Sequence, residues 1–315
     1  MREMFLGEAI RQHRIELGLT QEELCEGICG TVTISRIENG RQTPSRNRIN
    51  ALLQRLGLPD DRYYALLSKH EIELDSLRKE LHHRTTYFEQ ASDEIRDSAR
   101  LRALETLQKL EAIMDADDQI TRQQILSNRA TLGNADGPYN CEERLDLLME
   151  AIHLTVPRFD LKKICERYYT TDEIRIINQI AATYAMAGQR NEAIHIYGQL
   201  LQYVQKNNQR LARYAGQLAM VAHNYSIDLG LEKRYREAIE IAELGRCTCV
   251  EYGHYQFLPG LLAIMAECCY FMGEMERSAE LYCQAHYLYR AVGDEHNLKI
   301  IDAEIKERIK ITLPF

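Results

Sequence analysis

Apolar residues recur at intervals of three and four through nearly the whole chain, and no run alternates apolar and polar residues as a half-buried strand requires. Leu6, Ala9, Ile10, His13 and Leu17 form one such stripe, and Leu101, Leu104, Leu107 and Leu110 form another. A period near 3.6 gathers such residues on one side of a helix, so the chain is expected to be all-α. Its punctuation agrees. Of the prolines at 44, 59, 138, 157, 259 and 314, all but Pro314 stand where a helix could start or stop.

Composition narrows the function classes. With 45% apolar and 27% charged residues over 315 positions, the chain is neither disordered nor short of core. The formal charge of −8 argues against a protein basic all over and leaves room for one small basic face. The most apolar stretch, 258–273, contains Pro259 and Glu267, so no membrane span is expected. Met1-Arg2-Glu3 opens no signal-like apolar region. Nine cysteines, an odd number with unpaired spacings, fit a reduced, cytoplasmic compartment. Cys247-x-Cys249 and Cys268-Cys269 lack zinc spacing, and His82-His83 are too close for two ligands on one helix face. No phosphate loop or serine elbow occurs, so no metal, cofactor, catalytic residue or enzymatic activity is expected. The cysteines read as small buried apolar residues.

The first sixty residues carry the sharpest pattern. Gly18 can close a first helix in a left-handed turn. Thr20-Gln21-Glu22-Glu23 is a capping box, followed by Leu24 and Ile28 on a buried side. Cys29-Gly30 makes a turn, and Thr31 is placed to cap a third helix with Ile34 and Ile37 inward. Asn39-Gly40 ends it, and Thr43-Pro44 is placed to begin a fourth helix bearing Ile49, Leu52, Leu53 and Leu56. Two short helices joined by a tight glycine-containing turn are a DNA-reading unit. The strings Leu19-Thr20-Gln21-Glu22-Glu23-Leu24 and Ile34-Ser35-Arg36-Ile37-Glu38-Asn39-Gly40 resemble the phage-repressor-like helix-turn-helix family.

Thr31, Val32, Thr33, Ser35 and Arg36 lie outside the Ile34/Ile37 face, and the first three sit at the end that meets base edges. Arg36 can reach a guanine edge or a phosphate. In the resembled family the Gln21 position binds the DNA backbone, and Arg41, Arg46 and Arg48 suit phosphate clamping. Residues 1–60 hold eight arginines, no lysine and eight acids, so this segment is neutral overall. Within 36–48, however, Arg36, Arg41, Arg46 and Arg48 face Glu38 alone, a local +3. So modest a patch favours a dimer.

A boundary is expected near Leu58-Pro59-Asp60-Asp61, dividing a head (1–61) from a linker helix (62–82) and a repeat domain (83–315). Tyr63, Leu67, His70, Leu74, Leu77 and Leu81 have heptad spacing, which serves either packing on the next domain or a short self-pairing coil. Further on, helix pairs repeat. Gly188 precedes Glu192-Ala193, Tyr235-x-Glu237-Ala238 follows Leu229, and Gly273 precedes Ser278-Ala279. The alanines at 193, 238 and 279 read as equivalent buried positions. This resembles stretched tetratricopeptide repeats. Helices are also expected at 86–113, 119–132, 140–155, 171–187 and 294–311.

A repressor-like head, a connecting helix and irregular tetratricopeptide-like pairs together resemble the PlcR/Rgg-type peptide-pheromone regulators of Gram-positive bacteria. The resemblance implies a homodimeric quorum-sensing transcription regulator that binds promoter DNA and, in the concave groove of its α-solenoid, a short linear signalling peptide. Arg175, Asn178, Tyr214, Gln217, His223 and Asn224 are expected near that groove. An asparagine amide donates and accepts at once, as a peptide backbone requires, though it can equally tie neighbouring helices. Repeats that bind a protein partner, or a scaffold with an incidental DNA head, remain alternatives.

Overall fold

The computed structural model describes residues 6–58, 69–206 and 211–309. Among these, helices dominate and the only extended pairing is a bridge between Asn134 and Gly137. The chain forms two compact units, Met1–Glu89 with Asp97–Ile177, and Gln90–Arg96 with Asn178–Phe315.

The first unit begins with four short helices: α1 (Leu6–Glu16), α2 (Gln21–Cys25), α3 (Thr31–Glu38) and α4 (Arg46–Leu56). Ile10, Leu24, Ile34, Ile37, Leu52 and Leu53 close their common core. The capping box is formed in full. The Thr20 hydroxyl accepts from the Glu23 amide, and the Glu23 carboxylate accepts from the Thr20 amide. Two expected caps move by a residue or more. Gly30, not Thr31, precedes α3, and Ser45 precedes α4, so Pro44 is a buried residue ahead of the helix. Gly7 lets α1 approach the end of α3, because a Cβ there would stand 2.1 Å from the Ile37 carbonyl oxygen.

The chain continues with α5 (Lys69–Gln90), α6 (Asp93–Ile113), α7 (Gln119–Leu132) and α8 (Cys141–Thr155), all in the first unit except Gln90–Arg96. The helix expected to stop at 82 runs on to Gln90, so the next helix begins at Asp93 rather than 86. Tyr63 and Leu67 of the heptad lie outside the described residues. Leu74, Leu77 and Leu81 pack with Leu104, Leu107 and Leu110, so this part of the seam serves packing within the unit. Leu101 departs from its expected stripe and is exposed, its place inside being taken by Ala103.

The helix α9 (Thr171–Met186) crosses the division between the units. The second unit holds the helix pairs α11/α12 (Leu211–Leu231, Tyr235–Tyr252) and α13/α14 (Leu258–Met272, Met275–Val292), preceded by α10 (Arg190–Lys206) and followed by α15 (Glu295–Glu304), which ends in a widened turn over Ile305–Ile309. Left-handed residues at Gly188, Lys233 and Gly273 stand five positions before Ala193, Ala238 and Ser278. Those three small residues are fully buried. The third repeat's equivalent is therefore Ser278 rather than Ala279, and its hydroxyl donates to the Ala266 carbonyl. The apolar stretch Tyr255–Met272 is, among the described residues, the one long and apolar enough to cross a membrane. It supplies Leu261, Leu262, Met265, Ala266 and Cys269 to this unit's core.

Candidate nucleic-acid interface and inner groove

On α3 the seam side is closed and the opposite side is open. Ile34 and Ile37 are buried, whereas Thr31, Val32 and Arg36 are exposed, Val32 by 63%. Thr33 and Ser35 lie between these extremes. An exposed valine at a helix start has no packing role there and offers a methyl surface to a partner. Arg36 and exposed Arg41 form no ion pair with any acid among the described residues. Both therefore present free charge.

The other expected DNA contacts are engaged within the chain. The Gln21 amide donates to Glu38 at 2.8 Å, and Arg14 holds the same carboxylate at 2.6 and 3.1 Å. Glu38 is 6% exposed, so this charge is buried but fully answered. The network ties α1, α2 and α3 together and sets the pitch of the α3 face. Arg46 pairs with Asp75 at 3.3 Å, and Arg48 with Asp117 at 2.8 Å. Both pairs are partly exposed, a kind worth about 0–1 kcal/mol, so they hold these two arginines only weakly.

Sequence patterns do not single out the residues that fasten these helices to the rest of the unit. Arg55, 4% exposed, donates to the carbonyls of Leu24, Glu26 and Thr155 and to the Glu173 carboxylate at 3.2 Å. Glu26 receives Arg158 and Arg167 at 2.9 and 3.1 Å. At Gly27, φ is 72° and a Cβ would fall 2.1 Å from the Thr155 carbonyl oxygen. An arginine between the apolar residues Leu53 and Leu56 was the available signal for Arg55, but its partners lie 29 to 118 residues away.

In the second unit, α11 carries most of the residues expected at the groove. Tyr214 and Gln217 are buried; His223 and Asn224 are half-buried. Asn178, 4% exposed, accepts from the Asn224 amide at 3.3 Å, and the Asn224 carbonyl lies 3.1 Å from His223 Nδ1. The asparagines thus meet each other across α9 and α11. Tyr197 bonds to the same Asn224 side chain and stacks on Tyr225. His223 abuts Gly260, where a Cβ would come within 2.4 Å of Nε2. Burial lowers its pKa, with the Asn224 hydrogen bond opposing. Arg175 belongs to the first unit, where it lies 3.8 Å from Asp172.

Known proteins place these features in a family. Residues 6–65 match a helix-turn-helix domain family. Residues 140–308, more than half of the chain, match the RNPP family C-terminal domain. No curated protein sequence matches. Among solved structures, Bacillus thuringiensis PlcR in complex with the peptide PapR7 and DNA is similar at 18% identity and a TM-score of 0.56, covering 95% of this chain and 99% of PlcR. The apo form of PlcR gives 17% identity and a TM-score of 0.54, over 95% and 98% of the two chains. The apo form of the competence regulator ComR from Streptococcus vestibularis gives 15% identity and 0.52, over 96% and 97%. At these identities the structural likeness establishes the fold, a helix-turn-helix followed by tetratricopeptide-like helices, along essentially the whole length. The match over 140–308, with the helix-turn-helix ahead of it, shows that this chain belongs to the RNPP family.

Proposed function

We propose that this protein is a cytoplasmic, homodimeric, sequence-specific transcription regulator whose repeat domain binds a short linear signalling peptide. The carrying observation is the open face of α3: exposed Thr31, Val32 and Arg36 over a closed Ile34/Ile37 seam, in a chain of the RNPP family. Thr33 and Ser35 complete the reading surface, with Gln21, Arg41, Arg46 and Arg48 around it. The head is assigned to 1–61, the connecting segment to 62–90, since the helix expected to stop at 82 runs on to Gln90, and the peptide-binding, dimerising domain to the helices that follow. PlcR, solved with both a peptide and DNA, supports the pairing of these two partners. The reading requires no cofactor and no reaction.

For the peptide, Asn178 and Asn224 supply a donor and an acceptor, and Tyr214, Gln217 and His223 of the same unit complete the proposed contacts, while Arg175, in the first unit, forms no part of this cluster. A peptide unit that inserts between the two amides satisfies both and opens their mutual bond. Genomic DNA fragments captured by the full chain, with and without a secreted-peptide fraction, test the whole reading. A common sequence that changes in yield with the peptides supports it; capture with no common sequence overturns it. Once a peptide is in hand, the Asn178→Ala/Asn224→Ala variant should lose up to about a hundredfold in calorimetric affinity, two hydrogen bonds' worth. An unchanged affinity would assign both amides to helix packing.

A further inference from the structure

The first unit contains a cavity of about 210 Å³ that neither DNA reading nor the inner groove uses, walled mainly by α4, α5, α7 and the start of α9. Only Ile28, Ala51 and Ile120 among its lining residues are apolar, so it is a polar site rather than a void in the core. Drug-sized ligands occupy pockets of about 300–1,000 Å³, so this one suits a smaller molecule.

Two opposite charges line the cavity without pairing. Gln124 stands between them: Arg78 Nε donates to its Oε1 at 2.5 Å, and its Nε2 donates to Asp172 Oδ2 at 2.7 Å. One amide thus spaces the guanidinium from the carboxylate. Among the described residues no acid lies within ion-pair distance of Arg78, and its two terminal nitrogens make no hydrogen bond. Burial keeps the Arg78 pKa below its ordinary value, against the charges of Asp172, Asp118 and Asp75. The other Asp172 oxygen is 3.8 Å from Arg175, a long and partly exposed pair of small worth. Other charges on the walls are answered more closely, Asp75 by Lys79 at 2.9 Å and Glu173 by Arg55 at 3.2 Å.

Neutral groups add to this pattern. Gln123 is 2% exposed, and its amide nitrogen donates to the Ala151 carbonyl and the Thr155 hydroxyl. Its Oε1 accepts no hydrogen bond among the described residues, which leaves an open acceptor in the wall. The Asn50 amide, half-buried on α4, likewise has no hydrogen bond among them.

We propose that this cavity binds a small free α-amino acid as its zwitterion, with the carboxylate on Arg78 and the ammonium between Asp172 and Gln123. The terminal nitrogens of a guanidinium hold both oxygens of a carboxylate. An ammonium brings three donors, which answer Asp172 and the Gln123 oxygen. The Gln124 amide that spaces the two wall charges is close in length to an amino acid's own backbone, so the zwitterion lies alongside it. Asn50 offers a donor and an acceptor to the side chain, and the polar walls favour a short or polar one over an aromatic one.

Calorimetry and thermal melts of the full chain test this, with glycine, serine, asparagine and glutamine as small probes and phenylalanine as a bulky one. At least one of the four should bind with a Kd below about 1 mM and raise the melting temperature, and phenylalanine should not. The amide of that amino acid, which lacks the carboxylate, and its N-acetyl form, which lacks the ammonium, should each bind at least about tenfold more weakly. Arg78→Gln and Asp172→Asn should lose a similar factor. Asn50→Phe puts a ring into the cavity and removes no hydrogen bond, so it should abolish binding; with the two derivatives it decides the matter if either charge variant folds poorly. Failure of all four probes to bind overturns the proposal. Equal binding by the parent and Asn50→Phe overturns the site, and equal binding of the amino acid and its two derivatives overturns the charge assignment. No readout uses DNA or a signalling peptide, so the outcome is independent of the proposed regulatory role.

Discussion

Arg36 and His223 show how one position can carry a function or a pH dependence. Arg36 stands exposed and ion-pair-free one turn along α3, so removing its side chain breaks no ion pair among the described residues. A lost bidentate base contact costs about 1–3 kcal/mol, so Arg36→Ala should weaken operator binding by about tens of fold per half-site. The circular-dichroism melt should stay at the parent's temperature, and parent-like binding would refute the recognition-helix assignment. His223 is different. Burial lowers its folded-state pKa, so the native chain holds it neutral while the unfolded chain protonates near 6.5. As pH falls below that value the unfolded state binds more protons, so this residue costs stability, increasingly until pH reaches the folded-state pKa. His223→Gln should remove that part of the acid-side slope in denaturant titrations between neutral and mildly acidic pH. A slope identical to the parent's would show that the ring titrates alike in both states.

At the scale of helices, close approach decides more than propensity. Gly7 brings α1 onto the Ile37 carbonyl, and overpacking of this kind costs about 1–3 kcal/mol. Gly7→Ala should therefore lower the melting temperature, despite alanine's better helix propensity. Gly30→Ala, with open space and φ −73°, should not. Equal melts for the two variants would refute the packing account. The same pair shows what was legible beforehand. Local rules found the Thr20/Glu23 box, the Ile34/Ile37 seam and the helix ends at Gly18 and Gly40, because each depends on neighbours within a turn or two. They misplaced the repeat position at Ala279, since only packing reveals that the buried small residue is Ser278. They also ended the connecting helix eight residues early, because no glycine or proline marks its end at Gln90. Contacts of Arg55 with Thr155 and Glu173, and of Arg46 and Arg48 with Asp75 and Asp117, join distant segments that no period relates.

The whole molecule has to make a weak reader specific. One head is neutral across residues 1–60, and its basic patch amounts to +3, within a chain of −8. Two of the four patch arginines are shared with Asp75 and Asp117, and only Arg36 and Arg41 carry charge that no acid among the described residues answers. Phosphate contacts supply most of the affinity at a given salt concentration, so a single head should hold DNA poorly. A two-fold dimer joins two such heads to one site, makes the second engagement intramolecular, and requires an inverted repeat with half-sites about one helical turn apart or a multiple of it. Sedimentation of the full chain at micromolar concentration should give a dimer, and titration onto a captured operator should saturate at two chains per duplex. Separating the half-sites by an extra half turn of DNA should abolish most of the affinity, because the two heads would then face opposite sides of the helix. A monomer in solution that saturates one half-site with full affinity would overturn the dimer and leave the head's small patch sufficient alone.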